Sequence, residues 1–186
     1  MSGDESEIAL SKQDLREVTA FAAACADVVL EVFETDQPDD SRPRDALGAA
    51  WAFARGGERG KSLRDTAWAA LKAAGCADTE AAREAARAAM AAAGAAYLHP
   101  LAKATQVKHI LGAAAHAARA AELAAGDEPG TEPGTGAEHV RQAVRRATPG
   151  VVEVLKRFPA APERGGRVGE LMRMLDADLR SVTLTD

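Results

Sequence analysis

The chain has 186 residues, enough to bury the core of one domain, and 47% of them are hydrophobic but only 4% aromatic, which excludes a strand-rich fold. A net charge of −5 excludes a chain that is basic overall, the usual mark of a nucleic-acid binder. No run is long enough to cross a bilayer without a charge or a proline, so no membrane partner is expected.

Alanine supplies about a quarter of the residues and is the strongest helix former. The expectation is an all-α fold, an Ala-rich bundle of about five main helices with a C-terminal helical extension. Residues 1–10 read as a disordered acidic N-terminus, 11–125 as the bundle, 126–137 as a flexible Gly/Pro/Glu linker, and 138–186 as a helical segment docking on the bundle. Small side chains bury little area each, so the few large ones carry much of the burial. Phe21, Phe33, Trp51, Phe53, Trp68, Leu71, Met90, Tyr97 and Leu98 are therefore expected in the core.

The first predicted helix runs from Ser11, which can cap it, to Glu34, with Asp14 in the first turn. Leu15, Val18, Phe21, Cys25, Val29 and Val32 form its apolar stripe, and Asp27, Glu31 and Glu34 an acidic one. The second helix, Arg42 to Arg55, is apolar all round from Ala46 to Ala54, which predicts a central position. The third spans Leu63 to Ala74. The fourth begins near Asp78 and reaches Leu98, and Pro100 separates it from the fifth, Leu101 to Ala125. "GDEPGTEPGTG" (126–136) has nothing apolar to anchor it. Beyond it lie one or two short helices and a last amphipathic helix carrying Val168, Leu171, Met172, Leu175 and Leu179.

"LGAAWAFAR" (47–55) and "LGAAAHAAR" (111–119) share six of nine residues. A glycine inside a helix costs about 1 kcal/mol relative to alanine, so Gly48 and Gly112 predict close contact between the second and fifth helices.

"PDDSRPRD" (38–45) gathers charges around two prolines. Asp39, Asp40 or Ser41 can cap the helix that follows, and Pro43 suits its first turn. Asp45 is favourable at the positive helix end, whereas Arg42 and Arg44 stand against the dipole and call for partners. Those expected are Asp39, Asp40 or the acidic stripe of the first helix.

His109 and His116 lie seven residues apart on one helix face, about 10 Å from each other, too far to share a metal alone. A hydrogen-bonded, half-buried pair is expected, with no metal and no cofactor. His99 precedes the Pro100 junction. Cys25 and Cys76 lack a C-x-x-C or zinc spacing and read as buried thiols in a reducing cytoplasm. "MSGDESE" does not resemble a signal peptide, so the expected location is cytoplasmic. Nucleophile elbows, phosphate loops and dinucleotide fingerprints are absent, so no residue is assigned as catalytic. Seven Arg/Lys between His139 and Arg167 form a basic region, read as a solvated helix face or a surface for an acidic partner.

"DDSRPRDALGAAWAFARG" resembles the D-D-x-R-P-R-x-A segment of the immunity-5-like family of immunity proteins, small helical proteins of bacterial polymorphic toxin systems. Asp39, Asp40, Arg42, Pro43, Arg44 and Ala46 carry the resemblance. "HPLAKATQVKHILGAAAHAARA" is similar to a second family pattern, which His99, His109, Gly112, Ala113 and Ala114 fill. Thr105 stands where relatives often have a further histidine, and Leu98 where they have glycine. The resemblance implies a non-enzymatic protein that binds and neutralises a toxin. Asp39, Asp40, Arg42, Arg44, Asp45, His99 and His109 are the expected partner- or ligand-binding residues, and a cognate protein toxin the expected partner. The alternatives are a metal- or small-molecule-binding helical enzyme using His99 and His109, and a scaffold or homodimer joined through the last helix.

Overall fold

The computed structural model describes residues 7–128 and 134–183, and among them the regular structure is nine α-helices. They are α1 (Lys12–Asp27), α2 (Leu30–Asp36), α3 (Arg42–Ala54), α4 (Lys61–Cys76), α5 (Glu80–Gly94), α6 (Val107–Ala125), α7 (Thr135–Arg146), α8 (Pro149–Lys156) and α9 (Gly166–Ser181). The fold is all-α, as expected.

Local chemistry sets many of the helix ends. Ser11 and Asp14 form a reciprocal capping box, with Ser11 Oγ accepting from Asp14 N at 3.0 Å and Asp14 Oδ2 accepting from Ser11 N at 2.9 Å. Thr79 and Thr148 cap α5 and α8, and Pro149 occupies the first turn of α8. Gly126 ends α6 at φ 72°, a left-handed conformation that an L side chain disfavours.

At the centre α5 and α6 pack along each other. Ala85, Ala88, Ala89 and Ala92 of one helix and Leu111, Ala115 and Ala118 of the other are buried. Small residues on both sides let the helices approach closely, and dispersion over many atom pairs then replaces the area that larger side chains would bury. α1 crosses this pair, α4 flanks α5, and α3 packs on α1, α4 and α5. On the far side α7 and α9 cover α6, and α8 fits between α1 and α9. Phe33, Phe53, Ile110, Leu155 and Leu171 are the large fully buried side chains that fill the remaining space.

Several expectations are corrected. The first helix is two: α1 ends at Asp27, Val28 is exposed, and Val29 leaves the helical conformation (φ −114°, ψ 4°) before α2 begins. The break turns Val29, Leu30 and Phe33 onto α5; the β-branched Val28–Val29 pair is a cheap place to interrupt a helix. Residues 7–10 are held in place, while 1–6 lie outside the described residues. Ile8 is buried and its N–H donates to Pro100 O at 2.9 Å. In the expected linker, Asp127 Oδ2 accepts from Thr135 N at 2.7 Å, α7 starts at Thr135, and Gly136 and Ala137 are buried. Residues 129–133 lie outside the described residues.

α3 is not central on all sides, since Gly48 and Ala52 face solvent. Its packing partners do not include a close approach to α6, and a Cβ at Gly48 would meet nothing within 4 Å. The repeat-like pair of segments therefore does not mark a helix contact. Trp68 (59% exposed) and Leu71 (37%) stand outside the core. α4 has two candidate stripes, and the one through Leu63, Ala70, Ala73 and Ala74 is buried. Trp51, Met90 and Tyr97 are half-buried. Cys25 is buried as expected, but Cys76, the last residue of α4, is exposed.

Candidate functional site

The charged segment before α3 lies at one end of the bundle, and both of its arginines are engaged. Arg42 grips Asp40 through Nε (2.8 Å) and Nη2 (2.5 Å), while Asp40 Oδ1 also accepts from Arg42 N at 3.1 Å. The guanidinium of Arg42 holds the Asp40 carboxyl below its ordinary range. In turn Asp40, and then the neighbouring Cys76 side chain, raise the pKa of Arg42. Arg44 reaches back to α2 and binds both carboxylate oxygens of Glu34, each at 2.6 Å, which raises its own pKa. These pairs explain how two arginines persist at a positive helix end. Ser41 does not cap the helix: its hydroxyl donates to Asp45 Oδ2 at 2.9 Å. Trp51 Nε1 donates to Asp27 Oδ2 at 2.7 Å, and Asp36 accepts from the N–H groups of Asp78 and Thr79. Glu31 and Asp39 are exposed and have no side-chain partner among the described residues. The surface around α2 and the start of α3 is consequently acidic.

His99 and His109 are not brought to that end. They line a pocket of about 410 Å³ with Arg64, Trp68, Leu71, Met90 and Tyr97. Tyr97 lies beneath Arg59 and Arg64, at 5.5 and 5.2 Å from the ring centre. His109 Nδ1 is 3.0 Å from Gly94 O. Burial pushes the His109 pKa down, the Gly94 contact opposes it, and Lys108 and His99 add to the fall. A neutral ring donating from Nδ1 satisfies Gly94 and leaves Nε2 as an acceptor.

The His109 pocket continues along α5 and α6 into two more cavities. The middle one, about 220 Å³, shares Met90, Gly94 and His109 with it; the largest, about 1030 Å³, shares Lys108, His116 and Met172 with the middle one. The result is one groove, walled at its far end by the loop before α9 and by α9 itself. Helical periodicity builds it. On α5 the stripe is Glu80, Glu84, Arg87, Ala91 and Gly94; on α6 it is Lys108, Gly112, His116, Arg119 and Leu123.

Two buried carboxylates organise the wide end of the groove. Glu84, 6% exposed, receives Arg87 Nη1 at 2.6 Å and faces His116 Nδ1 at 2.6 Å. Burial acts to raise the Glu84 pKa, but His116 and Arg87 outweigh it and hold the group below its ordinary range. Glu122, 3% exposed, accepts from Arg167 (2.5 Å) and Arg119 (3.0 Å). The same balance applies: burial raises its pKa, and Arg167 and Arg119 lower it further. Glu122 also sits against Gly136, where any Cβ would collide with its carboxylate.

Sequence reading paired His109 with His116 but did not find Glu84, Arg87, Arg119, Glu122 or Arg167. The available signal was the shared stripe on α6, where Lys108, Gly112, His116 and Arg119 recur at helical spacing. Much of the basic region is engaged within the chain: Arg141 and Arg145 pair with Glu138, pulling that carboxyl down to about 2, and Arg157 pairs with Asp14. Among the described residues no group of three or more His, Cys, Asp or Glu is placed to hold a metal ion, and no helix is long and apolar enough to cross a membrane.

An Ala-rich all-α bundle with one acidic end and one charged groove defines a small helical protein whose surface chemistry is ionic and whose charged groups are largely pre-paired. A family model described as Imm-5 like putative immunity protein matches residues 9–147, from the segment before α1 to the end of α7. The chain belongs to that family. No curated protein and no solved structure matches it.

Proposed function

We propose that this chain is a non-enzymatic, cytoplasmic immunity protein that binds a cognate toxin and blocks it. The family match across residues 9–147 carries the reading. The surface that suits the task is the acidic end, formed by the Asp39–Asp45 segment with Asp27, Glu31 and Glu34. Its arginines are held by Asp40 and Glu34, so they brace the surface while Glu31 and Asp39 point free charge outward. A charged surface fixed before encounter steers a basic partner and loses little entropy on docking. The toxin surface that it fits is therefore basic, as in an enzyme that acts on a polyanion.

The test is co-purification and calorimetry with a candidate toxin expressed from the genes adjacent to this one. Arg42→Ala with Arg44→Ala should keep the helix content of the parent and weaken the complex. If the double variant keeps both its fold and its affinity, the surface that these arginines brace is not the binding surface.

A homodimer joined through the last helix, the alternative reading, would have to use residues of α9 other than its leucines. Leu171, Leu175 and Leu179 of α9 are buried within their own chain, against α6 and α7.

A further inference from the structure

The groove on α5 and α6 is not explained by a toxin bound at the acidic end, and its two halves differ in chemistry. The wide half is cationic. Arg87 is held by Glu84, and Arg119 and Arg167 by Glu122, so these guanidinium groups are fixed at the cavity wall. Glu80 is engaged with Arg83, and Glu170 with Arg167. That leaves Lys108 and Arg164, both exposed cavity residues without a side-chain partner among the described residues, as surplus positive charge.

The narrow half is apolar. Its floor is Ala91, Gly94 and Gly112, where small residues leave the channel open between the two helices. A Cβ at Gly112 would come within 3.8 Å of the Ala91 Cβ. At its end stands Trp68, 59% exposed, beside Leu71 and Tyr97. Trp68 and Leu71, one helical turn apart, present apolar surface at the mouth of this pocket. From Glu80 to Gly94 the groove runs about 20 Å at 1.5 Å per helical residue.

We propose that this groove binds an elongated amphiphilic acid, a small molecule with a phosphate or carboxylate head and an acyl or aryl body. The head lies at Lys108 and Arg164, with Arg87 beside it. The body follows the Ala91–Gly112 floor past His109 to Trp68. Lys108 and Arg164 supply unpaired charge for the head, Arg87 is held in place beside it by Glu84, and the channel excludes branched or bulky bodies. α9 completes the site through Met172, and the loop before it supplies Arg164; both lie beyond the residues that the family model matches. The proposal does not rest on toxin binding.

Dodecyl phosphate and dodecanoate, each below its micelle-forming concentration, test the site by calorimetry and tryptophan fluorescence. Dodecanol and inorganic phosphate are the controls that lack the head or the body. The expected result is saturable 1:1 binding of at least one acid, at least tenfold tighter than either control, with the stronger head identifying the natural one. Lys108→Glu with Arg164→Glu should weaken it at least tenfold at unchanged far-UV circular dichroism, since neither side chain supports the fold. Trp68→Phe should remove the fluorescence change and keep the calorimetric one. The proposal is overturned if neither acid binds, if dodecanol binds as tightly as the acids, or if the charge reversal leaves affinity unchanged in a folded protein.

Discussion

Glu84 of α5 and His116 of α6 meet at 2.6 Å across the central helix pair, and Arg87 takes the second oxygen of the same carboxylate. A buried acid is expensive unless every lone pair is used, and here both oxygens are engaged. The pair therefore ties the two central helices and holds Arg87 at the groove wall.

Glu84→Gln removes the charge and keeps the shape. The folded pKa of Glu84 lies below the ordinary value of 4.5, so its stabilisation is complete above that value and is lost as pH falls through the folded pKa. The variant should be about 1–2 kcal/mol less stable at pH 7, and the gap should narrow as pH falls below 4. Urea midpoints at the two pH values check this; a gap independent of pH contradicts it.

Two glycines in helices should respond with opposite sign. Gly48 is open to solvent, and Gly48→Ala should stabilise by about 0.5–1 kcal/mol through helix propensity. At Gly169 a Cβ would strike the backbone carbonyl of Arg164, which cannot swing away. Gly169→Ala should cost about 1–3 kcal/mol, read from thermal or urea unfolding.

Trp68→Ala should leave stability within about 0.5 kcal/mol of the parent, because the ring is largely exposed. Phe33→Ala, at a fully buried site, should cost about 3–5 kcal/mol. Equal losses from the two would mean that Trp68 is packed in solution.

Burial pushes the Cys25 thiol up to about 12, against a smaller downward pull from Arg146. Cys76 is exposed. A disulfide-exchange reagent should therefore modify one thiol per chain in the native protein, and the second only on unfolding. Cys76→Ser should remove the fast phase.

Where structure follows from a few neighbouring residues, the chain was legible: Ser11 with Asp14, Pro43 in a first turn, the end of α6 at Ala125. The Val28–Val29 break was not, because the apolar stripe continues through it and only the packing of α2 on α5 decides the turn. Gly48 and Gly112 look alike in sequence, yet one faces solvent and the other floors a groove. That difference is tertiary. The partners of Arg42 and Arg44 could be narrowed to nearby carboxylates, since Asp40 is local and Glu34 lies just across a short turn. The groove could not be read, because it depends on the register of α5 against α6 and on a helix that returns some forty residues later to supply Arg167.

Binding of a toxin at the acidic end is tested by the affinity for a candidate toxin expressed from the genes adjacent to this one, with and without Glu31→Lys and Asp39→Lys together. Both side chains are exposed and have no side-chain partner among the described residues, so the double reversal should fold as the parent does. A 1:1 complex is expected, with a dissociation constant that rises at least tenfold in the double reversal and rises with salt in the parent. A parent that does not bind, or a complex indifferent to both the reversal and salt, would contradict it.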